Sequence, residues 1–354
     1  MTTGDPRRTT ATVVPDGRLA PIPLPPDPLG RWLSACGTIR AVTSLIAPGR
    51  LEVGMQLPIQ SQSRIYAEPW EAGTGAAELG AIVDAAEAAG LFYVAVCDHV
   101  AVPEEPAQRM STIWWDTVAT LSWIAARTER LRLLSHVFVP AYRHPLLSAK
   151  AFLTLDELSG GRTILGVGTG HVEGEFAALG ADYANRGSVT DECIDVLRAA
   201  FTDEYPSYAG EHFQVEGVGL QPRPRQEHLP IWVGGSSKPA LRRAAVRGDG
   251  WLPQGTPRHE LADAIAYLLE HRKAARGDDP IDLGTICEPI YVGEADWDVG
   301  PWTISGAPEQ LAEKIRVFKD HGVSHVQVRP RARSLDELCD QLAALGRDVL
   351  PLLN

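Results

Sequence analysis

The chain carries no run of basic residues and no excess of them. Its 33 lysines and arginines face 45 aspartates and glutamates, a formal net charge of -12 over 354 residues. That balance argues against a nucleic-acid-binding face. No apolar run approaches the length of a membrane span. Cys36, Cys97, Cys193, Cys287 and Cys339 are widely spaced, odd in number and without a Cys-x-x-Cys pair. Neither a disulfide framework nor a zinc site follows from them; small buried thiols in a reducing cytoplasm do. There is no Gly-x-Ser-x-Gly elbow, no lysine at a strand end and no histidine–carboxylate cluster for a metal. Serine hydrolysis, Schiff-base chemistry and metal-dependent hydrolysis are therefore disfavoured. With no metal and no activated nucleophile in view, the hard chemistry falls to an organic cofactor.

What is present is ordinary globular composition, 44% hydrophobic and 22% charged, with length for one large domain or two smaller ones. Residues 1–50 stand apart. Pro6, Pro15, Pro21, Pro23, Pro25, Pro26 and Pro28 make the start a proline-rich arm, expected to be extended or partly disordered. Its mildly apolar end, Trp32 to Ile46, suits packing on the body or on a partner subunit. A start at Met55 would cut the first strand in half, so the arm is read with the chain.

From Leu51 the pattern is regular. Strands are expected at Val53–Leu57, Phe92–Cys97, Leu131–Val139, Thr163–Val167, Ile231–Val233, Gly250–Leu252, within 282–292, and at His325–Val328. Helical stretches separate them, among them one capped by Ser237 with Pro239 just inside. Tyr205 to Pro224, rich in glycine, proline and aromatics, reads as an inserted hairpin after the fourth unit. Eight strand–helix units over residues 51–354 predict a (β/α)8 barrel. A doubly wound open sheet is the alternative, but the first strand ends in Leu57-Pro58-Ile59 with no glycine-rich phosphate loop.

A barrel of this kind builds its site from the loops after the strands. Those positions hold Gln56, Asp98, His99, Ser135, His136, Gly168, Thr169, Gly170, His171, Gly234, Gly235, Ser236, Ser237 and Gln254; Glu288 and Arg329 join them if the strand register allows. Two glycines followed by hydroxyls at a helix start offer N–H groups to an anion, or the serines simply cap the helix. His99 is a candidate proton carrier or a structural residue held by Asp98. Trp70, Trp114 and Trp115 line the mouth or fill the core.

Several stretches, in this order, carry a resemblance. They are Val-Cys-Asp-His-Val (96–100), Arg-His-Pro-Leu-Leu-Ser-Ala-Lys (143–150), Leu-Asp-Glu-Leu-Ser-Gly-Gly-Arg (155–162), Leu-Gly-Val-Gly-Thr-Gly-His (165–171), Glu-Phe-Ala-Ala-Leu-Gly (175–180), Pro-Ile-Trp-Val-Gly-Gly-Ser-Ser (230–237) and Arg-Gly-Asp-Gly-Trp (247–251). Together they resemble the luciferase-like monooxygenase superfamily, most closely its actinobacterial branch that uses coenzyme F420. The resemblance implies a luciferase-like TIM barrel with the cofactor across the carboxyl ends of the strands. Its ring would be backed by the third strand, where a non-proline cis peptide falls at His136–Val137. Asp98, Ser135, His136, Val137, Gly168, Thr169, Gly170, Gly234, Gly235, Ser236 and Gln254 are then cofactor-binding. His99, and next His171, would be catalytic, and Gln56, Trp70 and Trp114 would meet an apolar or aromatic substrate. The implied activity is F420-dependent hydride transfer. The alternatives are an FMNH2-dependent monooxygenase fed by a separate cofactor reductase, and a non-catalytic flavin- or deazaflavin-binding relative. The resemblance also implies a homodimer. Two departures withhold the substrate: the F420-dependent sugar-phosphate dehydrogenases carry Glu where His171 stands and Trp where Pro103 stands.

Overall fold

The computed structural model describes residues 44–354. The proline-rich part of the arm, residues 1–43, lies outside the described residues.

Eight parallel strands close into a barrel. They are β1 (Glu52–Gln56), β2 (Tyr93–Val96), β3 (Arg132–Ser135), β4 (Thr163–Val167), β7 (Ile231–Gly234), β8 (Gly250–Leu252), β9 (Asp282–Ile286) and β12 (His325–Val328), each paired with its neighbour in chain order and β12 with β1. The inserted hairpin is β5 (Tyr208–Ala209) and β6 (Gln214–Val215), antiparallel and outside the barrel. The expected seventh strand is split. Pro289 follows β9, and Ile290–Val292 (β10) pairs instead with Ile304–Gly306 (β11) in a small separate sheet.

Strand parity sorts the side chains. Val53, Met55, Val94, Val96, Leu133, Leu165, Val167, Ile231 and Val233 join the large core shared with the surrounding helices. The alternate positions, Tyr93, Ala95, Leu134, Ile164, Trp232 and Leu252, form a second cluster inside the barrel. Ile46, 3% exposed, belongs to that inner cluster. The N–H groups of Leu45 and Ile46 donate to the Asp282 carboxylate at 3.0 and 3.2 Å. Leu45 and Ile46, at the apolar end of the arm, therefore pack on the barrel body and close its amino-terminal end, so the body begins before the boundary expected at 51.

Two short helices in the loops, Glu104–Met110 after β2 and Glu173–Leu179 after β4, escape the sequence pattern. The third strand is shorter than expected. After Ser135 the chain bends through a cis His136–Val137 peptide, as the resemblance implies. Among the described residues no helix is long and apolar enough to cross a membrane.

Candidate functional site

A cavity of about 470 Å³ lies where the strands end, lined by the residues that follow β1, β2, β3, β4, β7, β8, β9 and β12. Continuing the inward parity upward from the inner cluster gives Gln56, Cys97, His136, Gly168, Gly234, Gln254, Ile286, Gln327 and Arg329, all of them on its wall. The pattern that fills the lower barrel with rings thus delivers polar side chains and glycines to its mouth.

His99 is the best organised of the expected residues. Its Nδ1 lies 2.9 Å from Glu175 Oε2, and the Glu175 side chain is fully buried. Glu175 also accepts hydrogen bonds from the Ala101 N–H at 3.0 Å, the Val100 N–H and the Tyr142 hydroxyl at 3.0 Å. Burial opposes its ionisation, but the hydrogen bonds from His99, Ala101 and Val100 outweigh burial and hold the carboxyl down at about 2. An ionised carboxylate can only accept, so His99 carries its proton on Nδ1 and Nε2 is left as the free ring nitrogen. The helix Glu173–Leu179 brings this carboxylate in. Gly174 makes the approach possible, because a Cβ there would stand 2.7 Å from Pro103. Glu175 opens one of the stretches that carry the resemblance. Its role was hidden because the seven-residue helix that aims it was not legible.

His171 meets His99 edge to face at 5.7 Å between centroids, and Trp114 lies 4.3 Å from the same ring. Burial, then the nearby His99, lowers the His171 pKa. Trp70, Trp114 and Gln56 all line the cavity, whereas Trp115 packs against the core. Gln56 Nε2 donates to Cys97 Sγ at 3.0 Å, and burial pushes that thiol up to about 12, which removes it as a nucleophile.

Three residues expected at the cofactor make hydrogen bonds within the fold. Asp98 lines the cavity, but its two oxygens take a bidentate pair with Arg143 at 2.7 and 2.8 Å and the Val139 N–H at 2.9 Å. It fixes the bend after β3, with Oδ2 accepting two hydrogen bonds and Oδ1 one. Ser135 does not reach the wall. Its hydroxyl donates to Gly166 O at 2.9 Å and accepts from Gly166 N at 3.0 Å, bridging β3 to β4. Ser236 is likewise spent: it donates to Gln254 O at 2.9 Å and accepts from Thr256 Oγ1 at 2.6 Å, joining the loops after β7 and β8. Gln254 lines the cavity beside it. Ser237, not Ser236, faces the cavity, and it also caps the helix Lys238–Arg247 by accepting from Ala240 N at 3.4 Å.

The glycines expected at the cofactor all line the cavity, and two of them also make room for a neighbouring side chain. A Cβ on Gly168 would fall 2.4 Å from Val137 Cγ2, and one on Gly234 would fall 2.3 Å from Val137 Cγ1. Both strands are bare there to make room for the Val137 side chain, which stands as an apolar shelf in the cavity wall. Gly170, at φ +73°, packs against Phe176, and Gly235, at φ +104°, makes the turn into the Lys238–Arg247 helix. Thr169 lines the wall between them. Arg329 is also on the wall, 3.6 Å from Glu68 and over the Tyr66 ring; Glu288 instead pairs with Arg258 at 2.8 Å.

A closed parallel barrel with its polar groups and a helix start gathered at the strand ends defines a class: (β/α)8 barrels, which build their sites from the loops at that face. The comparisons make that particular. The model of the luciferase-like monooxygenase family matches residues 51–299, and the chain belongs to that family. An uncharacterised protein of Mycobacterium tuberculosis is 32% identical over 260 residues, covering 66% of this chain and 90% of its own. An F420-dependent glucose-6-phosphate dehydrogenase of Nakamurella multipartita is 25% identical over 330 residues, covering 79% of this chain and 93% of its own. Among solved structures, a monooxygenase from Streptomyces bottropensis superposes with a TM-score of 0.70 at 19% identity, over 85% of this chain and 99% of that one. The coenzyme F420-dependent tetrahydromethanopterin reductase of Methanopyrus kandleri gives 0.68 at 18% identity, over 86% and 100%. These structures share the fold.

Proposed function

We propose that the chain is an F420-dependent oxidoreductase that moves a hydride between the deazaflavin coenzyme and a small apolar or aromatic substrate. The observation that carries this reading is the Glu175–His99 pair, set on a cavity wall beside Trp114. The F420-dependent relative and the F420-dependent neighbour in fold support the choice of cofactor.

The residues present fit a tricyclic ring with a phosphate-bearing tail. Val137 fills the gap that a Cβ on Gly168 or Gly234 would close, giving a flat apolar face. Gly235, Ser237 and the start of the Lys238–Arg247 helix supply N–H and hydroxyl groups for an anion. Thr169, Gly170 and Gln254 complete that side. When bound, the deazaflavin supplies or accepts the hydride. The chain's own part is the proton. His99 Nε2 is the atom that gives or takes it, and the ionised Glu175 fixes the tautomer and stabilises the imidazolium. Trp70 and Trp114 exclude water and receive the apolar body of the substrate. His171, kept neutral by burial, is the second polar group at that edge.

The test is a titration of the protein with F420 and with FMN, followed by fluorescence. Saturable F420 binding, with substrate turnover that changes F420 absorbance, is expected. Tight FMN binding with no F420 binding would overturn the assignment and favour a reduced-flavin monooxygenase.

A further inference from the structure

Among the described residues, Arg329 is the one lysine or arginine on the cavity wall. It follows β12 and is partly buried. Its guanidinium makes no hydrogen bond to a described residue. Its neighbours are a Glu68 oxygen at 3.6 Å and the face of Tyr66, 5.5 Å away at the ring centroid. Glu68 is already taken. Arg331, which does not line the cavity, holds the two oxygens of that carboxylate at 2.6 and 3.4 Å. Glu71 is near enough to act on Arg329 electrostatically but forms no ion pair with it. Its oxygens accept from the Ile59 N–H at 3.0 Å and the Glu68 N–H at 2.8 Å, and burial raises its pKa. Two guanidinium groups thus share one carboxylate, and the one left short faces the cavity. Burial lowers the Arg329 pKa, yet a guanidinium stays charged in a protein. A cation that has lost part of its water without gaining hydrogen-bond acceptors is stabilised by an anion arriving from the cavity.

We propose that Arg329 receives a carboxylate of the substrate, which makes the substrate class apolar or aromatic acids. The inference deepens the function proposed above and, in naming a substrate, rests on it. The charge count favours a carboxylate over a phosphate. A single guanidinium presents a planar fork that matches two oxygens of one singly charged group, and no second cation stands on the wall for a dianion. The place in the barrel separates this site from the side given to the coenzyme's phosphate. Gly235 and Ser237 follow β7, three strands from β12 by way of β8 and β9. In the other direction β1 and then β2, the strand before His99, come next. Trp70, Pro289, Pro330 and Leu338, on segments that flank Arg329, give the acid's body apolar walls.

The probes are benzoate, phenylacetate, trans-cinnamate and 2-naphthoate, each beside its neutral primary amide. The full chain is titrated with them by calorimetry, with and without F420. At least one acid is expected to bind about tenfold or more tightly than its amide, the usual worth of a hydrogen bond to a charged group. Arg329→Met, which keeps the apolar stem, should bring that acid down to the level of its amide. Arg329→Lys, which keeps the charge but not the fork, should retain part of the preference. Thermal melts confirm that both variants are folded. F420 affinity should be the same in wild type and Arg329→Met. Amides binding as well as acids overturns the proposal, as does a preference that survives in Arg329→Met, or no acid binding at millimolar concentration. Loss of F420 affinity in Arg329→Met without any acid preference gives the arginine to an acidic group of the coenzyme, and also overturns it. If F420 does not bind wild type, the proposed function fails. An acid preference in the cofactor-free protein that Arg329→Met abolishes then still supports the carboxylate site.

Discussion

The two ends of the barrel both bury polar groups, but at the base carboxylates draw on arginine, histidine and backbone N–H groups of the chain, whereas the mouth opens them to a cavity. At the amino-terminal end the carboxylates draw partners from within the chain, although Asp249 Oδ1, and higher in the inner barrel Trp232 Nε1 and His325 Nε2, have no hydrogen-bond partner. Asp249 Oδ2 takes Arg198 at 2.5 Å, His228 at 2.9 Å and the Ile231 N–H at 2.9 Å, and Asp282 takes two N–H groups from the segment that plugs the barrel. At the carboxyl-terminal end, His136, Gln327 and the Trp70 indole N–H are left without partners in the cavity. Charges satisfied from within hold a fold together. Polar atoms left waiting at a cavity cost stability, and binding can return that cost. On the function proposed, stability belongs to the base and recognition to the mouth, the division expected of a barrel that works from its strand ends.

The hardest test of this division is at His99. His99→Ala should lower kcat/KM by about 10²–10⁴, the usual worth of a positioned acid or base, while the melting temperature moves little. Glu175→Gln should follow it in the same direction, because the amide no longer fixes the tautomer. Turnover unchanged in His99→Ala would remove the proton role. At the other end, Asp249→Ala leaves Arg198 and His228 facing a buried gap and should cost about 3–5 kcal/mol of unfolding free energy. Cofactor affinity of the protein that remains folded should be unchanged. A variant that keeps its stability but loses affinity would erase the distinction between the two ends.

Acid sharpens it further. Burial lowers His136 to about 4 and His325 to about 3. The folded state therefore binds fewer protons than the unfolded chain below pH 6.5, so stability falls as pH drops toward 4. For His136 that is on the order of 3 kcal/mol. Asp282 works the other way. Burial raises it to about 6 despite the Ile46 and Leu45 N–H groups, so its contribution is greatest at low pH and declines as pH rises through 6. Melting temperatures from pH 4 to 7 should show a flatter acid limb in His136→Leu and a steeper one in Asp282→Asn.

Much of this was legible in the sequence, and the reason differs by region. Eight buried strands with helices between them announce a barrel because period and length are local properties. The strand ends follow directly, and His99, His171, Gln56, Trp70 and Trp114 do converge on one cavity. What was not legible depends on contacts across the fold. Glu175 sits on a seven-residue helix held by Pro103, too short for periodicity to reveal. Ser135 and Ser236 occupy strand-end positions, but their hydroxyls bond neighbouring backbone, and no sequence spacing tells a cross-strand bridge from a ligand contact. Asp98 beside His99 reads as an active pair until Arg143, 45 residues on, is seen to claim it.

The glycines after β4 and at the end of β7 make the same point at smaller cost. A glycine at a strand end suggests backbone meeting ligand, yet here Val137 occupies the space. Gly234→Ala should therefore destabilise the barrel by about 1–3 kcal/mol, the usual cost of forcing a methyl into packed space. The collision is with one side chain, Cγ1 of Val137, so Val137→Ala in the same chain should recover most of that loss. If Gly234 were bare for a ligand's sake, the single variant would keep its melting temperature and lose cofactor affinity, and the second substitution would restore nothing. A double-mutant cycle read by thermal melts and by F420 titration distinguishes the two, and coupling is expected in the melts. Coupling in both readouts would show that the shelf Val137 makes is also the face on which the ring rests.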